Sequence, residues 1–311
     1  MERKKGKQQR KEKKLSFFNL IEQRILYFER LDKKKTASNY ICAFKHFKRF
    51  RGDQDIAIED LTVGQMKDFQ SYLIGEGLRM NTISLYNREL RAVYNYALDE
   101  EIIQMDKRPF RKSFTGQEKT RKRAVDGGGV KRLAKEMLGF ARDLFLFSIY
   151  MQGMPFIDMA YLKKEQVRNG CITYQRRKTN RQLRVKIHPQ AQIIIDRYMV
   201  SDPGCPYLFP ILYDPEKKTE REYSSALRVY NKRLDSLSSL LELDEPLTSY
   251  VARHTWASLA RQCGTSDTVI SEAMGHSHVG VTTIYLASLD IGMVAMANQR
   301  VITSLFRKRI P

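Results

Sequence analysis

Residues 250–260 read YVARHTWASLA, and residues 274–277 read MGHS. The first stretch lies in a helix predicted over residues 249–263, and the second follows a helix predicted over residues 266–274. Arg253 and His276 stand 23 positions apart, and Tyr285 follows His276 by nine positions. A further basic residue, Lys178, lies at the tip of a hairpin predicted from strands at 171–176 and 182–187.

These four side chains suit the transfer of a phosphoryl group without a metal ion. Tyr285 supplies a nucleophile, and the planar fork of Arg253 can hold two phosphate oxygens. His276 can donate to the same phosphate, and Lys178 can protonate the departing 5′ oxygen. Each residue taken alone also has an ordinary structural interpretation, as a surface ion pair, a helix end or a half-buried aromatic ring. The combination therefore carries the prediction.

In their order and spacing these motifs resemble the tyrosine recombinase (phage integrase) family, from about residue 15 onward. The family's H-x-x-R-H box is matched by Arg253 and His254, and its L-G-H-S box by residues 274–277. The resemblance implies that Tyr285 attacks a DNA phosphate and forms a 3′-phosphotyrosine, without ATP, metal or another cofactor. It also implies a homotetramer on double-stranded DNA that works through a Holliday junction, with accessory DNA-bending proteins as further partners.

Two positions depart from the family pattern. Pro155 stands where the first box, T-G-x-R-x-x-E, has its phosphate-binding arginine, and Tyr250 replaces the first histidine of the second box. Tyr250 keeps a hydroxyl that can bind phosphate. Arg142, on the preceding helix, is the predicted replacement for the missing cation, and Gln152 is a neutral alternative.

The fold class predicted by these patterns is mainly α with a small β-sheet (α+β). The predicted organisation is a basic disordered arm at 1–14, a helical core-binding (SAM-like) domain at 15–105, a basic linker at 106–123 and the catalytic domain at 124–311. Apolar residues at helical spacing indicate four helices in the first domain. A capping box at Thr62 and Gln65 begins the third of them.

The formal net charge of +20 and the pI of about 9.8 favour a polyanionic partner, with nucleic acid ahead of an anionic membrane surface. No apolar run approaches the roughly 20 residues that span a bilayer, so we expect a cytoplasmic protein. The predicted DNA-binding residues are basic and lie on the second helix, in the linker and at the hairpin: Lys45, Lys48, Arg49, Arg121, Lys122, Arg123 and Arg181.

Several alternatives stay open at the level of sequence. The expected activity is site-specific recombination, in integration or excision of a mobile element or in DNA inversion. A degenerate recombinase that binds DNA without cutting is the alternative favoured by Pro155, and a type IB topoisomerase is a third. A last helix, predicted at 290–306, packs either on its own protomer or on a neighbour. The target DNA sequence is not encoded in these motifs.

Overall fold

The computed structural model describes residues 15–118, 124–136, 139–243 and 246–276. The chain divides into two compact units, Met1–Thr120 and Arg121–Pro311. The first unit is built from helices, and the second combines helices with small antiparallel sheets. The predicted fold class, mainly α with a small β-sheet, is therefore confirmed.

Helices make up the first unit, each burying one apolar face. They are α1 (Phe17–Arg30), α2 (Lys34–Phe50), α3 (Val63–Gly75) and α4 (Met80–Asp99). The predicted capping box is present at α3, where Thr62 and Gln65 satisfy each other's backbone N–H groups.

Aromatic rings hold this helical unit together. The ring of Phe47 meets the rings of Phe17 and Phe69 edge to face, at centroid distances of 5.6 and 5.1 Å. All three side chains are fully buried. Because Phe47 lies on the apolar face of α2, Lys45 and Arg49 on the same helix stay exposed.

The chain after α4 does not behave as the predicted linker, at least in its described part, residues 106–118. Phe110 is 4% exposed and belongs to the helical core. The N–H of Phe114 donates to Gln70, and its carbonyl accepts from Asn87. This segment is therefore part of the helical unit. The high density of charged residues around Phe110 concealed the one apolar anchor.

The second unit contains seven helices and two small sheets among its described residues. The helices are α5 (Gly127–Lys135), α6 (Phe140–Tyr150), α7 (Phe156–Ala160), α8 (Pro189–Tyr198), α9 (Tyr223–Leu240), α10 (Val251–Gln262) and α11 (Asp267–Ala273). The strands are β1 (Val167–Arg168), β2 (Cys171–Gln175), β3 (Gln182–Lys186), β4 (Tyr213–Asp214) and β5 (Thr219–Glu220).

The predicted hairpin at 171–187 is the centre of a three-stranded antiparallel sheet in the order β1-β2-β3. In β3, Leu183 and Val185 are buried while Arg184 is exposed, as the alternation in the sequence predicts. One face of the sheet therefore joins the core of the unit. That core also contains α6, whose residues Phe145 and Phe147 are fully buried.

The three consecutive glycines at 127–129 form the first turn of α5. The side chain of Asp126 caps this helix by accepting the N–H of Gly129 at 2.7 Å. This capping hydrogen bond helps to offset the conformational entropy that the three glycines lose when the helix forms.

Within the part of the chain that the structure describes, no helix combines the length and the apolar character needed to cross a membrane.

Candidate functional site

Arg253 lies at the centre of the candidate site. It occupies the first turn of α10 and is only 1% exposed. Its Nη1 donates to the carbonyl of Gly153 at 2.8 Å, and its Nη2 donates to the carbonyl of Met274 at 2.6 Å. One guanidinium thus joins the turn before α7 to the segment that follows α11.

His276 lies directly against this guanidinium. Its Nε2 is 3.0 Å from Nη2 of Arg253, and its side chain is 3% exposed. A guanidinium can only donate, so Nε2 accepts this hydrogen bond and the ring proton resides on Nδ1. The predicted pair of Arg253 and His276 is therefore brought together in the fold.

The surroundings of His276 disfavour its protonated form. Burial, and then the positive charges of Arg253, Arg176 and Lys178, lower the pKa of His276 to about 3. The imidazole is consequently neutral near pH 7 in the absence of an anionic ligand.

The β2–β3 hairpin holds the segment that carries His276. Nη1 of Arg176 donates to the carbonyl of Gly275 at 2.7 Å, and Oγ1 of Thr179 donates to the same carbonyl at 3.2 Å. These bonds position the tip of the hairpin beside His276. Lys178 lies exposed at that tip, close enough for its charge to act on the imidazole.

The first-box residues form a tight turn, which contacts the guanidinium of Arg253 through the carbonyl of Gly153. Gln152 and Gly153 both adopt a positive φ, of 60° and 70°. Pro155 is the N-cap residue of α7. A pyrrolidine ring carries no charge, so Pro155 itself offers nothing to an anion.

Asp158, in the first turn of α7, is a buried carboxylate beside these arginines. It is 4% exposed, and its Oδ1 accepts the backbone N–H of Arg177 at 3.0 Å. Burial raises the pKa of Asp158, while that hydrogen bond and the charges of Arg176 and Arg253 act in the opposite direction. The effect of burial is the larger one, so the pKa of Asp158 lies above that of a free aspartate.

Arg142 is not available as the replacement cation that the sequence suggested. Its guanidinium forms a buried ion pair with Asp143 and also donates to the carbonyl of Glu136. The second oxygen of Asp143 accepts from Arg197 at 2.6 Å and from Tyr198 at 2.8 Å. Asp143 therefore ties α6 to α8, and Arg142 is engaged inside the core as its ion-pair partner.

Tyr250 lies at the N-cap of α10 and is 46% exposed. Its ring meets the ring of His254 edge to face at 4.9 Å. It precedes Arg253 by three positions and is far more exposed than Arg253 or His276.

The predicted DNA-binding residues have different environments. Lys45 and Arg49 are exposed on α2, whereas Lys48 is half-buried with its ammonium 5.5 Å from the centre of the Phe44 ring. Arg181 is engaged within the unit, because it donates to the carbonyl of His276 and to Glu272, both at 3.2 Å. These bonds help to hold the His276 segment, and the role of Arg181 on DNA stays a prediction.

Several predicted features lie outside the described residues. They are the arm at 1–14, Arg121, Lys122, Arg123, the nucleophile Tyr285 and the helix at 290–306.

Sequence reasoning missed Arg176 and Asp158. Arg176 is the last residue of the predicted strand, and Asp158 closes the first box in the position of its glutamate. The strand alternation offered a signal for Arg176, because Ile172, Tyr174 and Arg176 share the buried face.

An apolar cavity of about 510 Å³ lies elsewhere in the unit, between α6 and α9. None of Arg176, Arg253 and His276 lines it. No cluster of histidine, cysteine or acidic side chains that could hold a metal ion occurs among the described residues.

Comparison with known proteins agrees with this architecture. The family model described as "Phage integrase family" matches residues 130–290, and the model of the phage integrase SAM-like domain matches residues 16–114. The chain therefore belongs to the phage integrase family, the family of tyrosine recombinases.

Solved structures of integrases share the fold at low sequence identity. A structure of the Tn1549 transposon integrase with transposon right end DNA is 12% identical, with a TM-score of 0.71 over 93% of this chain and 100% of that one. A lambda integrase dimer bound to a COC' core site is 15% identical, with a TM-score of 0.66 over 89% of this chain and 100% of that one. A lambda integrase tetramer bound to a Holliday junction is 16% identical, with a TM-score of 0.67 over 89% of this chain and 78% of that one. No curated protein matches the sequence significantly.

Proposed function

We propose that the protein is a site-specific DNA recombinase that cleaves and rejoins DNA through a 3′-phosphotyrosine. The phenolic oxygen of Tyr285 forms a bond to phosphorus, the bond from phosphorus to the 5′ oxygen breaks, and Lys178 gives that oxygen a proton. A 5′ hydroxyl of a second duplex then attacks the phosphotyrosine and releases the tyrosine. The bond energy is retained in the intermediate, so no cofactor is consumed.

The observation that carries this proposal is the convergence of cationic side chains around His276. Arg253, Arg176 and Lys178 all act electrostatically on that imidazole. The nearby buried carboxylate, Asp158, offsets this charge only in part, because it is one anion beside three cations. Such a site suits a phosphodiester, whose negative charge grows in the transition state of phosphoryl transfer.

The neutral state of His276 fits a role in which phosphate binding changes its protonation. An anionic phosphate next to the imidazole opposes the effect of the arginines and raises its pKa. A proton taken up on Nε2 would then allow His276 to donate to a phosphate oxygen. Arg253, whose Nη2 lies 3.0 Å away, can address the same phosphate.

A covalent trap tests the proposal. Random-sequence nicked duplexes are incubated with the protein, and those that become attached are recovered from a denaturing gel and sequenced. The short fragment with the 5′ hydroxyl diffuses away from the nick, so the adduct accumulates. We expect wild type to form adducts and Tyr285→Phe to form none while binding the captured duplex normally.

A matched control is Tyr27→Phe, which removes an exposed phenol of the helical unit and should leave the adduct intact. An adduct formed by Tyr285→Phe would remove this residue from the nucleophile's role.

A second candidate function is DNA binding without cleavage. The observation that favours it is Pro155, which leaves the first box without its cation. Wild type that forms no adduct with any duplex of the library, yet retains sequence-selective binding, would establish this function instead.

The proposed partner is double-stranded DNA, bound by a tetramer of this chain. The support is the likeness to integrases solved as a dimer on a core site and as a tetramer on a Holliday junction. The proposed setting is integration or excision of a mobile element, or inversion of a segment. Native mass spectrometry with a Holliday junction built from the captured site should detect four chains per junction.

A further inference from the structure

The first box lacks its cation, yet the turn around it is intact. The carbonyl of Gly153 accepts a hydrogen bond from Arg253, and Asp158 is buried in the first turn of α7. Only the charge that the family has at the position of Pro155 is missing. A side chain that replaces it must come from another element and reach the neighbourhood of Arg253 and His276.

We propose that Arg176, from the end of β2, binds the scissile phosphate in place of the missing first-box arginine. This assignment rests on the proposed recombinase function and extends it to a residue that lies outside the family's conserved boxes.

The first argument is position. Nη1 of Arg176 donates to the carbonyl of Gly275 at 2.7 Å, while Nη2 of Arg253 donates to the carbonyl of Met274 at 2.6 Å. The two guanidiniums therefore lie on consecutive carbonyls of the segment that leads to His276. A phosphate bound by Arg253 beside His276 would lie within the field of Arg176.

The second argument is that Arg176 has hydrogen-bonding capacity left over. It is 4% exposed, and its Nε is buried without a hydrogen-bond partner in the described part of the chain. Among the described residues, Arg176 forms no ion pair within 4.0 Å. Burying a cation in this way is costly unless an anion compensates it.

The third argument concerns the nearby carboxylate. Oδ2 of Asp158 is buried without a hydrogen-bond partner among the described residues, and Oδ1 is occupied by the N–H of Arg177. Asp158 therefore orients the backbone of the hairpin and interacts with Arg176 only through its charge, without a hydrogen bond to the guanidinium. A phosphate would supply an anion that accepts a hydrogen bond from Arg176.

The other arginines of this region are engaged. Arg142 is paired with Asp143, and Arg181 is bonded to Glu272 and to the carbonyl of His276. The guanidinium of Arg177 stacks on the ring of Tyr161 at 3.8 Å. Arg176 is the one of these residues that combines burial, proximity to His276 and an unused donor.

The test compares two substitutions at Arg176 in the full-length protein. Arg176→Gln keeps a donor for the carbonyl of Gly275 but removes the charge, and Arg176→Lys keeps the charge but loses the fork. Arg184→Gln, which removes an exposed charge from β3, is the matched control. Single-turnover adduct formation is measured on a nicked duplex carrying a site captured from the random library.

The same duplex is also made with a methylphosphonate at the scissile position, which replaces a charged oxygen with a neutral methyl group. On the phosphate substrate we expect Arg176→Gln to be about 10²- to 10³-fold slower than wild type, Arg176→Lys to be less impaired and Arg184→Gln to be unchanged. On the methylphosphonate the defect of Arg176→Gln should fall below about tenfold, because the neutral group no longer requires the cation.

A merely structural role predicts a different pattern. Arg176→Gln would then cleave within about threefold of wild type, or would show the same defect on both substrates, and either result overturns the assignment. Thermal unfolding of each variant verifies that it folds, and Arg176→Lys carries the comparison of the two substrates if the glutamine variant does not. If wild type itself forms no adduct with any duplex, the recombinase function fails and the assignment fails with it.

Discussion

Gly153 determines how closely the first-box turn approaches Arg253. It has a φ of 70°, and a Cβ added to it would lie 3.1 Å from the Cα of Arg253 and 3.2 Å from its Cγ. The Cα of Arg253 is part of α10, so it cannot move without shifting that helix. A side chain at this position would therefore displace the arginine whose Nη1 bonds to the carbonyl of Gly153.

We accordingly predict that Gly153→Ala destabilises the catalytic unit by about 1–3 kcal/mol, through the left-handed backbone and the crowding of Arg253. Adduct formation should fall in parallel. Urea unfolding and the covalent trap measure the two effects. Gly139→Ala serves as the control, because Gly139 has a negative φ and open space around it. Equal stability of the two variants would contradict the argument.

The lowered pKa of His276 predicts a dependence of stability on pH. The unfolded chain protonates this histidine near pH 6.5, whereas the folded chain does so only at about pH 3. Stability is therefore lost as the pH falls from 6.5 toward 3, because the unfolded state binds the proton first. The contribution of this one group is at most about 1.4 kcal/mol per pH unit.

His276→Gln should lose less stability than wild type over this interval, and urea unfolding at a series of pH values measures the difference. Parallel curves for wild type and His276→Gln would show that the imidazole is not held neutral.

At the scale of the element, the segment between residues 106 and 118 extends the helical unit beyond α4. Phe110→Ala should therefore lower the stability of the helical unit by about 3–5 kcal/mol, because it leaves a cavity in a closed core. Met105→Ala, at a side chain that is 72% exposed, is the control. Hydrogen exchange resolved by residue assigns the loss to this unit. If the two substitutions cost the same, Phe110 is not an anchor.

The sequence predicted best those elements whose determining residues lie close together in the chain. The capping box of α3 and the alternation in β3 each lie within a few consecutive residues, and both were found as predicted. Arg253 and His276 could be paired because their motifs have a characteristic spacing. The expectations that failed depend on distant partners: Arg142 is neutralised by an ion pair inside the core, and Phe110 is anchored on helices formed earlier in the chain.

Arg176 illustrates the same limit within the site. Its sequence context, at the end of a basic hairpin, is that of a solvated residue. It is buried because the hairpin folds back onto Gly275, which is 99 positions away. The alternation along the strand indicates only that Arg176 lies on the buried face with Ile172 and Tyr174, and the folded chain is needed to show that its partner is Gly275.

At the scale of the whole molecule, charge governs the expected behaviour. The net charge of +20 implies a large electrostatic component in any binding to DNA. The arm at 1–14 is rich in lysine and arginine and has no apolar pattern, so it should contact phosphates without reading bases. Deleting it should weaken binding to all duplexes alike and make the dependence on salt less steep.

Binding of the captured duplex and of a random duplex, each measured over a range of salt concentrations, tests this prediction. The arm-deleted and full-length chains should differ by the same factor on both duplexes. A loss confined to the captured sequence would mean that the arm recognises bases.

The long-range bonds of the site also determine when, during its own synthesis, the protein becomes able to react. Arg253 is joined to Gly153 across 100 positions, and Arg176 to Gly275 across 99. Contacts of this kind form late, because the intervening chain must first be made and closed into a loop. A nascent or prematurely terminated chain that stops just before residue 274 keeps the bond between Arg253 and Gly153, but it lacks the carbonyls of Met274 and Gly275, His276 and the proposed nucleophile Tyr285. It can adhere to DNA through its charge, but under the proposed chemistry it cannot cut, so incomplete translation products would leave the genome intact.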